Sequence, residues 1–249
     1  MKRLISALPL LLAMNILQAD EAAPLVHIDP LDENRANAMH RGPNPHARLS
    51  PEQHMEVAAQ HMTNGRRPQA MAVLTQALAK YPEDPRLFNM RASLELQQKD
   101  IKSALADMEQ AIRLAPENPL YRVTRAQLYL SFERKDEARK DLDVAIKLKP
   151  DLVPALFNRG ALLANLGREK EALADFDRCI EIEPKLPAPW FNRGSMHWAV
   201  GDRKQARADI RRFIELSEED NWKQAGRDLL KAWDDAEARE VAQGKEKAR

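Results

Sequence analysis

A period of 34 residues runs through the chain from residue 51 to residue 220. Five consecutive frames fit this stretch without an insertion: 51–84, 85–118, 119–152, 153–186 and 187–220. The tetrapeptide FNRG shows the repetition most directly, because it occupies residues 157–160 in the fourth frame and 191–194 in the fifth. A repeat of this length indicates a supersecondary unit that buries its apolar face by stacking on its neighbours.

Several frame positions keep one physical character throughout. The eighth and twentieth residues are Ala or Gly in every frame, which suits two antiparallel helices that cross closely. The twenty-fourth residue is always large and apolar, and the first four frames carry a proline at the thirty-second residue, where it stops a helix. The eighth residues are Ala58, Ala92, Ala126, Gly160 and Gly194, and the twentieth are Ala70, Ala104, Ala138, Ala172 and Ala206. The twenty-fourth residues are Leu74, Met108, Leu142, Phe176 and Ile210, and the prolines are Pro82, Pro116, Pro150 and Pro184.

This pattern resembles the tetratricopeptide repeat family, whose unit is a helix–turn–helix of 34 residues. The resemblance covers residues 51–220 and implies an all-α fold, a right-handed superhelical solenoid of five repeats. Two departures stand out. The fourth residue is aromatic only at Phe88 and Trp190, and the fifth frame has Glu218 where the others have proline.

Composition supports helix over strand and limits the class of partner. Only 5% of residues are aromatic and only 8 are glycine, which argues against a fold of strands and tight turns. The 39 basic and 38 acidic residues nearly cancel, so no overall field attracts nucleic acid or an anionic membrane. We therefore expect no nucleic acid partner, and the family resemblance implies a protein or peptide ligand.

The N-terminus has the layout of a secretory signal peptide. Lys2 and Arg3 precede an apolar run over residues 4–17, and Ala19 stands before the acidic pair Asp20 and Glu21. The run is too short for an ordinary membrane-spanning helix, which needs roughly 20 residues. We expect residues 1–19 to be removed and the mature protein to be exported, in a periplasm, without stable membrane insertion. An uncleaved N-terminal anchor is the alternative.

Residues 20–50 differ in kind from the repeats. They contain Pro24, Pro30, Pro43 and Pro45 and no sustained helical period, so we expect a flexible linker. His40 and His46 lie in this segment and raise the alternative of a copper or zinc site. His54 and His61 are poor ligands for the same ion, because seven residues of helix separate them by about 10.5 Å. They are interpreted as helix-packing residues.

An Arg and an Asp recur together in the second to fifth frames, at the seventh and twenty-third residues. The first frame carries Val57 and Val73 at these two positions, so both residues change character together. This covariation indicates a structural ladder of contacting pairs, although the spacing leaves open whether each Asp meets the Arg of its own repeat or of the next. Independent solvated charges are the alternative. The residues are Arg91, Arg125, Arg159 and Arg193, with Asp107, Asp141, Asp175 and Asp209.

The family resemblance also implies a concave groove lined by the first helix of each repeat. The fifth and twelfth residues carried onto this groove are largely apolar, and Asn158 and Asn192 at the sixth position resemble groove asparagines whose amides pair with a peptide backbone. The alternative is that FNRG recurs only because it forms a well-packed first helix. The expected groove residues are Met55, Asn89, Val123, Phe157, Asn158, Phe191, Asn192 and Trp198.

Residues 221–249 are expected to close the array as a capping helix followed by a charged tail. Trp222 and Trp233 fall on its apolar side and are interpreted as a cover over the fifth repeat. Cys179 is the only cysteine of the chain, so no internal disulfide can form. It lies on an apolar helical face between Phe176 and Ile182. It is interpreted as a packed residue rather than a reactive thiol.

No phosphate-binding loop, paired cysteines, HExxH or nucleophile motif is present, so neither enzymatic activity nor a cofactor is expected. Two functions remain. The first is an exported scaffold that binds a partner protein or peptide in its groove, in assembly or maturation of an envelope component. The second is a metal-handling accessory protein of the envelope that uses the His and Met residues of its N-terminal part.

Overall fold

The computed structural model of the protein describes residues 49–247, and within them the chain forms eleven α-helices and no strand. Ten helices form five hairpins, and the last helix follows alone. They are α1 Pro51–Thr63, α2 Arg67–Lys80, α3 Pro85–Gln97, α4 Ile101–Leu114, α5 Pro119–Leu130, α6 Lys135–Leu148, α7 Val153–Asn165, α8 Glu169–Ile182, α9 Pro187–Val200, α10 Arg203–Leu216 and α11 Asp220–Lys247. The expected all-helical repeat fold is confirmed.

The helix boundaries keep the sequence register. Every first helix starts at the first residue of its frame, and every second helix runs from the seventeenth residue to the thirtieth. Four first helices begin at proline, whose fixed φ suits the first turn and whose missing N–H costs no hydrogen bond there. The fifth repeat stops at the same place without its proline, because Ser217 turns to an extended conformation and its hydroxyl donates to the Phe213 carbonyl at 2.7 Å.

The turn inside each hairpin requires a left-handed backbone at the fifteenth residue of the frame. Three repeats place glycine there, with φ of 69° at Gly65, 72° at Gly167 and 92° at Gly201. The other two place Lys99 and Glu133 in the same conformation, with φ of 62° and 59°. Glycine adopts this region without the steric cost that a Cβ brings, so these two repeats carry local strain.

The described chain divides into two compact units. The first, residues 49–148, contains the three hairpins α1–α2, α3–α4 and α5–α6. The second, residues 149–247, contains the hairpins α7–α8 and α9–α10 and the final helix α11. Within each unit successive helices pack on one another, and the first helices of neighbouring repeats also touch, since α1 contacts α3 and α7 contacts α9.

Each hairpin closes around its small residues. The eighth and twentieth residues are fully buried or nearly so in all five repeats. In the fourth repeat a Cβ added to Gly160 would lie 2.9 Å from the Phe176 ring, and in the fifth a Cβ on Gly194 would lie 3.0 Å from Ile210. The two glycines therefore make room for the large side chain at the twenty-fourth position of the same repeat.

The final helix differs from the expected cap followed by a charged tail, because it continues as one helix to Lys247. It packs on α10 at Gly226, where an added Cβ would lie 2.5 Å from Ile214. Among the residues described, no helix combines the length and apolarity needed to cross a membrane.

Candidate functional site

The fifth residues of the first helices are interior residues rather than groove residues. Phe157 and Phe191 are 1% and 2% exposed, and their rings pack on the second helix of their own hairpin. The Phe157 ring centroid lies 5.9 Å from that of Phe176, and the Phe191 centroid lies 4.9 Å from that of Phe213. The expectation that these two rings offer apolar contact to a partner is wrong, because the second helix covers them.

Met55 and Val123 hold the equivalent position in the first unit and are also buried. Asn89, the fifth residue of the second repeat, is the exception because it stays half-buried. Its Oδ1 atom is nevertheless buried and accepts no hydrogen bond from the residues that the structure describes. Burying a carboxamide oxygen without a hydrogen-bond donor is unfavourable. Asn89 is the polar exception among the fifth residues of the frames, which are otherwise apolar.

The sixth residues of the fourth and fifth repeats form a pair of asparagines on neighbouring helices. Asn158 of α7 is 8% exposed, and Asn192 of α9 has no exposed surface. Both Oδ1 and Nδ2 of Asn192 lack a hydrogen-bond partner among residues 49–247. Leaving a buried polar group unpaired costs about 1–3 kcal/mol, so the Asn192 side chain opposes folding as it stands.

Trp198, the twelfth residue of the fifth repeat, is half-buried by an intramolecular partner. Its ring stacks on Trp233 of α11 with centroids 4.4 Å apart and planes 3° from parallel. The Arg203 guanidinium carbon lies over the Trp198 ring, 3.7 Å from its centroid. Trp233 is 2% exposed, which agrees with its expected role as part of the cover over the fifth repeat.

An Arg–Asp pair joins the two helices of every repeat from the second to the fifth. In each pair the arginine Nε and Nη2 donate to the two carboxylate oxygens of the aspartate, at 2.6–2.9 Å. The pairs are Arg91–Asp107, Arg125–Asp141, Arg159–Asp175 and Arg193–Asp209. The structure thus decides the question that spacing left open, since each aspartate meets the arginine of its own repeat.

The aspartates of these pairs are buried and the arginines are about one-fifth exposed. Hydrogen bonds to the carboxylates raise the pKa of Arg91, Arg125 and Arg193 above its ordinary value. Arg193 has a second partner in the preceding repeat, because its Nη1 donates to Asp177 at 2.8 Å. This contact ties the fifth repeat to the fourth. In the first repeat Val57 and Val73 occupy the two positions, both half-buried.

Glu95 is a buried acid that sequence reasoning missed. It is 8% exposed and its Oε1 lies 3.8 Å from Arg91 Nε, while its Oε2 atom has no hydrogen-bond partner in the described part of the chain. Burial, together with the negative charge of Asp107, raises the pKa of Glu95 to about 7. The sequence contained one signal for this burial. Glu95 is the eleventh residue of its frame, and the same position is Tyr129 and Leu163 in two other frames.

His54 and Cys179 are interior residues. His54 is 1% exposed, lies 2.9 Å from the Ser50 carbonyl through Nδ1 and meets the Tyr81 ring edge-on. Cys179 is fully buried, and burial raises the pKa of its thiol well above the ordinary range. Residues 49–247 contain no cluster of side chains suited to hold a metal ion. His40 and His46 lie outside the described residues.

Comparison with known families gives one consistent result. Models described as tetratricopeptide repeat match residues 58–129, 95–166, 153–186 and 188–220. Together the matches span four of the five frames almost entirely and most of the first. A search of curated proteins finds no match to this chain.

Solved structures with the same fold have low sequence identity to this chain. A thermophilic tetratricopeptide repeat protein of Thermus thermophilus is 19% identical, with a TM-score of 0.60, 73% of this chain covered and 99% of that one. MamA is 16% identical, with a TM-score of 0.57 and coverages of 68% and 92%. YrrB, described as having an unusual peptide-binding site, is 20% identical, with a TM-score of 0.55 and coverages of 72% and 92%. At these identities the likeness establishes the fold alone.

Proposed function

Because the chain belongs to the tetratricopeptide repeat family, we propose that it is a scaffold that binds an extended segment of a partner protein along the first helices of its fourth and fifth repeats. A scaffold of this kind works by binding, and the proposal assigns it no catalysis. The likeness in fold to YrrB, whose description includes a peptide-binding site, supports a peptide as the ligand.

One observation carries the proposal, namely the unpaired amide of Asn192. A carboxamide offers one acceptor oxygen and two donor hydrogens, and a peptide bond in an extended chain offers the complementary carbonyl and N–H. Asn192 has neither contact with any residue that the structure describes, although it is fully buried. Asn158, one repeat earlier on the adjacent helix, provides a second carboxamide for the next stretch of the same backbone.

Burial of Asn192 sets a condition on binding. The amide has no exposed surface, so a partner reaches it only when this face opens locally. The unpaired amide lowers the cost of that opening, because exposure to water or to a ligand gives it the hydrogen bonds that it lacks when buried. Binding and opening are therefore coupled in this proposal.

Asn192→Leu tests the proposal through two separate measurements. Leucine has a similar size and no polar atoms, so the free energy of unfolding should stay unchanged or rise by about 1 kcal/mol. Capture of partner protein from the native envelope, followed by mass spectrometry, should fail. Asn221→Leu, the same replacement at an exposed site in the same unit, should leave capture intact.

Two outcomes contradict the proposal. If Asn192→Leu lowers the free energy of unfolding by more than about 1 kcal/mol, the amide has a structural role that its unpaired state conceals. If the variant captures the same partner with undiminished yield, the binding surface lies elsewhere.

We further propose export to a periplasm and a role in assembling or maturing an envelope component. The support is the charged, apolar and small-residue sequence of residues 1–19, which lies outside the described part of the chain. N-terminal sequencing of protein from the native cell should begin at Asp20. Recovery of mature protein that still begins at Met1 would refute cleavage.

A further inference from the structure

The second, sixth and ninth residues of each frame lie on one face of the first helix, because they are spaced by four and three residues. In the second unit this face is formed by α7 and α9, and we call it the α7–α9 face. Five of its six residues are buried, with exposures of 0–9%. The residues are Pro154, Asn158 and Ala161 of α7 and Ala188, Asn192 and Ser195 of α9.

The same frame positions in the first unit are more open, since none of the residues at them is buried. Two pairs with identical side chains show the difference. Ala161 has no exposed surface, whereas Ala59 at the same position of the first repeat is half-buried. Ser195 is 9% exposed, whereas Ser93 at the same position of the second repeat is half-buried, although that repeat has a repeat on each side.

The helices of the second unit do not account for this cover. The contacts of α9 with α7, α8 and α10 have counterparts among the helices of the first unit, where the face stays open. The final helix α11 has no such counterpart, but it packs on α10 and meets α9 at Trp198, beyond the ninth residue. Ala161 lies on α7, a whole repeat away from α11, and is covered as well. The cover therefore comes from outside residues 49–247.

The chemistry of the α7–α9 face favours an apolar occupant. Its side chains are small and uncharged, whereas the first unit carries Glu52, Glu56 and Arg86 at the same frame positions. An apolar segment packs on such a face without burying an unpaired charge. The run over residues 4–17 is uncharged and mostly apolar, while acids and arginines recur through residues 20–48.

The length of chain before the repeats allows this run to reach the face. The described chain begins at Leu49, whose carbonyl accepts a hydrogen bond from the Tyr81 hydroxyl at 2.8 Å. Residues 18–48 lie between this point and the run, and a chain of that length spans up to about 100 Å at about 3.3 Å per residue. Because the run is tethered, its effective concentration at the face is high and a modest affinity is sufficient.

We propose that the apolar run of residues 4–17 occupies the α7–α9 face for as long as it remains part of the chain. The uncleaved protein then blocks its own binding surface, and removal of residues 1–19 opens it. This consequence rests on the proposed function, because Asn158 and Asn192 belong to the face. Occupancy of the face by the run involves no partner protein and is measured without one.

Ser195→Cys places a reporter thiol on the face, where a hydroxyl of similar size now lies. The full chain is expressed in the cytoplasm, and its mass verifies that residues 1–19 are retained. Leu11→Lys with Leu12→Lys puts two charges into the run and should expel it from the face. A maleimide should then modify the reporter at least ten times faster than in the chain with the unchanged run. An excess of a peptide that copies residues 1–19 should restore the slow reaction.

Three controls use the same chain. Ser93→Cys, the same replacement at the same position of the second repeat, should react at one rate with and without the charged run. Leu25→Lys with Val26→Lys makes the same charge change outside the run and should leave the Ser195→Cys reporter slow. Cys179 is fully buried and should stay unmodified throughout, which shows that no variant has unfolded.

Four results would overturn the proposal. The first is a fast reporter in the chain with the unchanged run. The second is an equally slow reporter when the run is charged, because the repeats themselves then cover the face. The third is a reporter that Leu25→Lys with Val26→Lys exposes, because the occupant is then the segment of residues 20–48. The fourth is protection that dilution removes, because the occupant is then a second copy of the chain.

The reporter experiment is independent of partner capture. If the charged run exposes the reporter while Asn192→Leu still captures the partner, the proposed binding site is wrong and occupancy of the face by the run stands. If capture depends on Asn192 but the run never protects the reporter, the reverse holds.

Discussion

The Arg125–Asp141 pair provides the sharpest test of what holds a repeat together. Its two hydrogen bonds are both 2.7 Å long, and its side chains are 18% and 8% exposed. The first repeat carries valines at the same two positions, so the protein itself supplies an apolar replacement. Exchanging Arg125 and Asp141 for valine, singly and together, completes a double-mutant cycle that measures how strongly the pair is coupled.

The structure determines the expected magnitudes. Asp141→Val leaves a guanidinium that is mostly buried, and Arg125→Val leaves a carboxylate that is buried more deeply. Removing one partner of a fully buried pair costs about 3–5 kcal/mol, and partial access to water reduces this to about 2 kcal/mol for each single change. The double change should cost about 1 kcal/mol, because apolar replacement of a whole pair is often close to neutral. The coupling free energy, which is the sum of the two single losses minus the double loss, is then about 3 kcal/mol.

Urea unfolding followed by far-ultraviolet circular dichroism measures all four proteins of the cycle. Lys147→Val, at an exposed site on the same helix, is the control and should change the free energy of unfolding by no more than about 0.5 kcal/mol. If the double variant instead loses the sum of the two single losses, the two charges act independently. The interpretation of the ladder as interhelical contacts that stabilise the repeats would then fail.

Three further predictions test other features of the fold. Gly160→Ala should lower the thermal unfolding midpoint, because the added Cβ would lie 2.9 Å from Phe176. Adding Phe176→Leu should restore the midpoint, since the first and third repeats combine Ala with Leu at these two positions. If the midpoint is not restored, the steric explanation of Gly160 is wrong. Lys99→Gly and Glu133→Gly should each raise the free energy of unfolding by about 1 kcal/mol by removing left-handed strain, and a loss in either would refute that strain. Glu95 has a folded pKa of about 7, above its unfolded value, so it binds its proton more tightly in the fold. The free energy of unfolding should therefore fall as the pH rises from the unfolded pKa of Glu95 to its folded pKa of about 7. Glu95→Gln should remove this pH dependence, as measured by urea titrations.

Much of the fold follows from the sequence because the repeat has five copies in one chain. The alignment of five frames shows where side chains must be small, where proline stops a helix and where Arg and Asp vary together. Each of these is a local requirement of backbone geometry or of one helix crossing, and five copies separate it from chance. For the same reason the residue range of each helix pair can be predicted from the sequence alone.

The candidate site was less accessible to this reasoning. The family resemblance assigned Phe157 and Phe191 to a groove, whereas Phe176 and Phe213 hold both rings inside their own hairpins. The spacing of Asp175 allowed two arginine partners, and only the folded chain selects Arg159. In both cases the choice depends on the distance between helices, which sequence spacing leaves open.

The sequence by itself determines the period, the hairpin as the repeating unit and the small residues at each helix crossing, because these depend on side-chain size and backbone conformation within one frame. Tertiary structure alone decides which side chains are covered and which remain unpaired. The Asn192 amide lies buried without a hydrogen bond to any described residue, and Trp233 stacks on Trp198, because helices that are separate along the chain come to lie within a few ångströms. Burial and pairing are properties of that arrangement, and an unpaired amide or a stacked ring leaves no periodic trace in the order of residues.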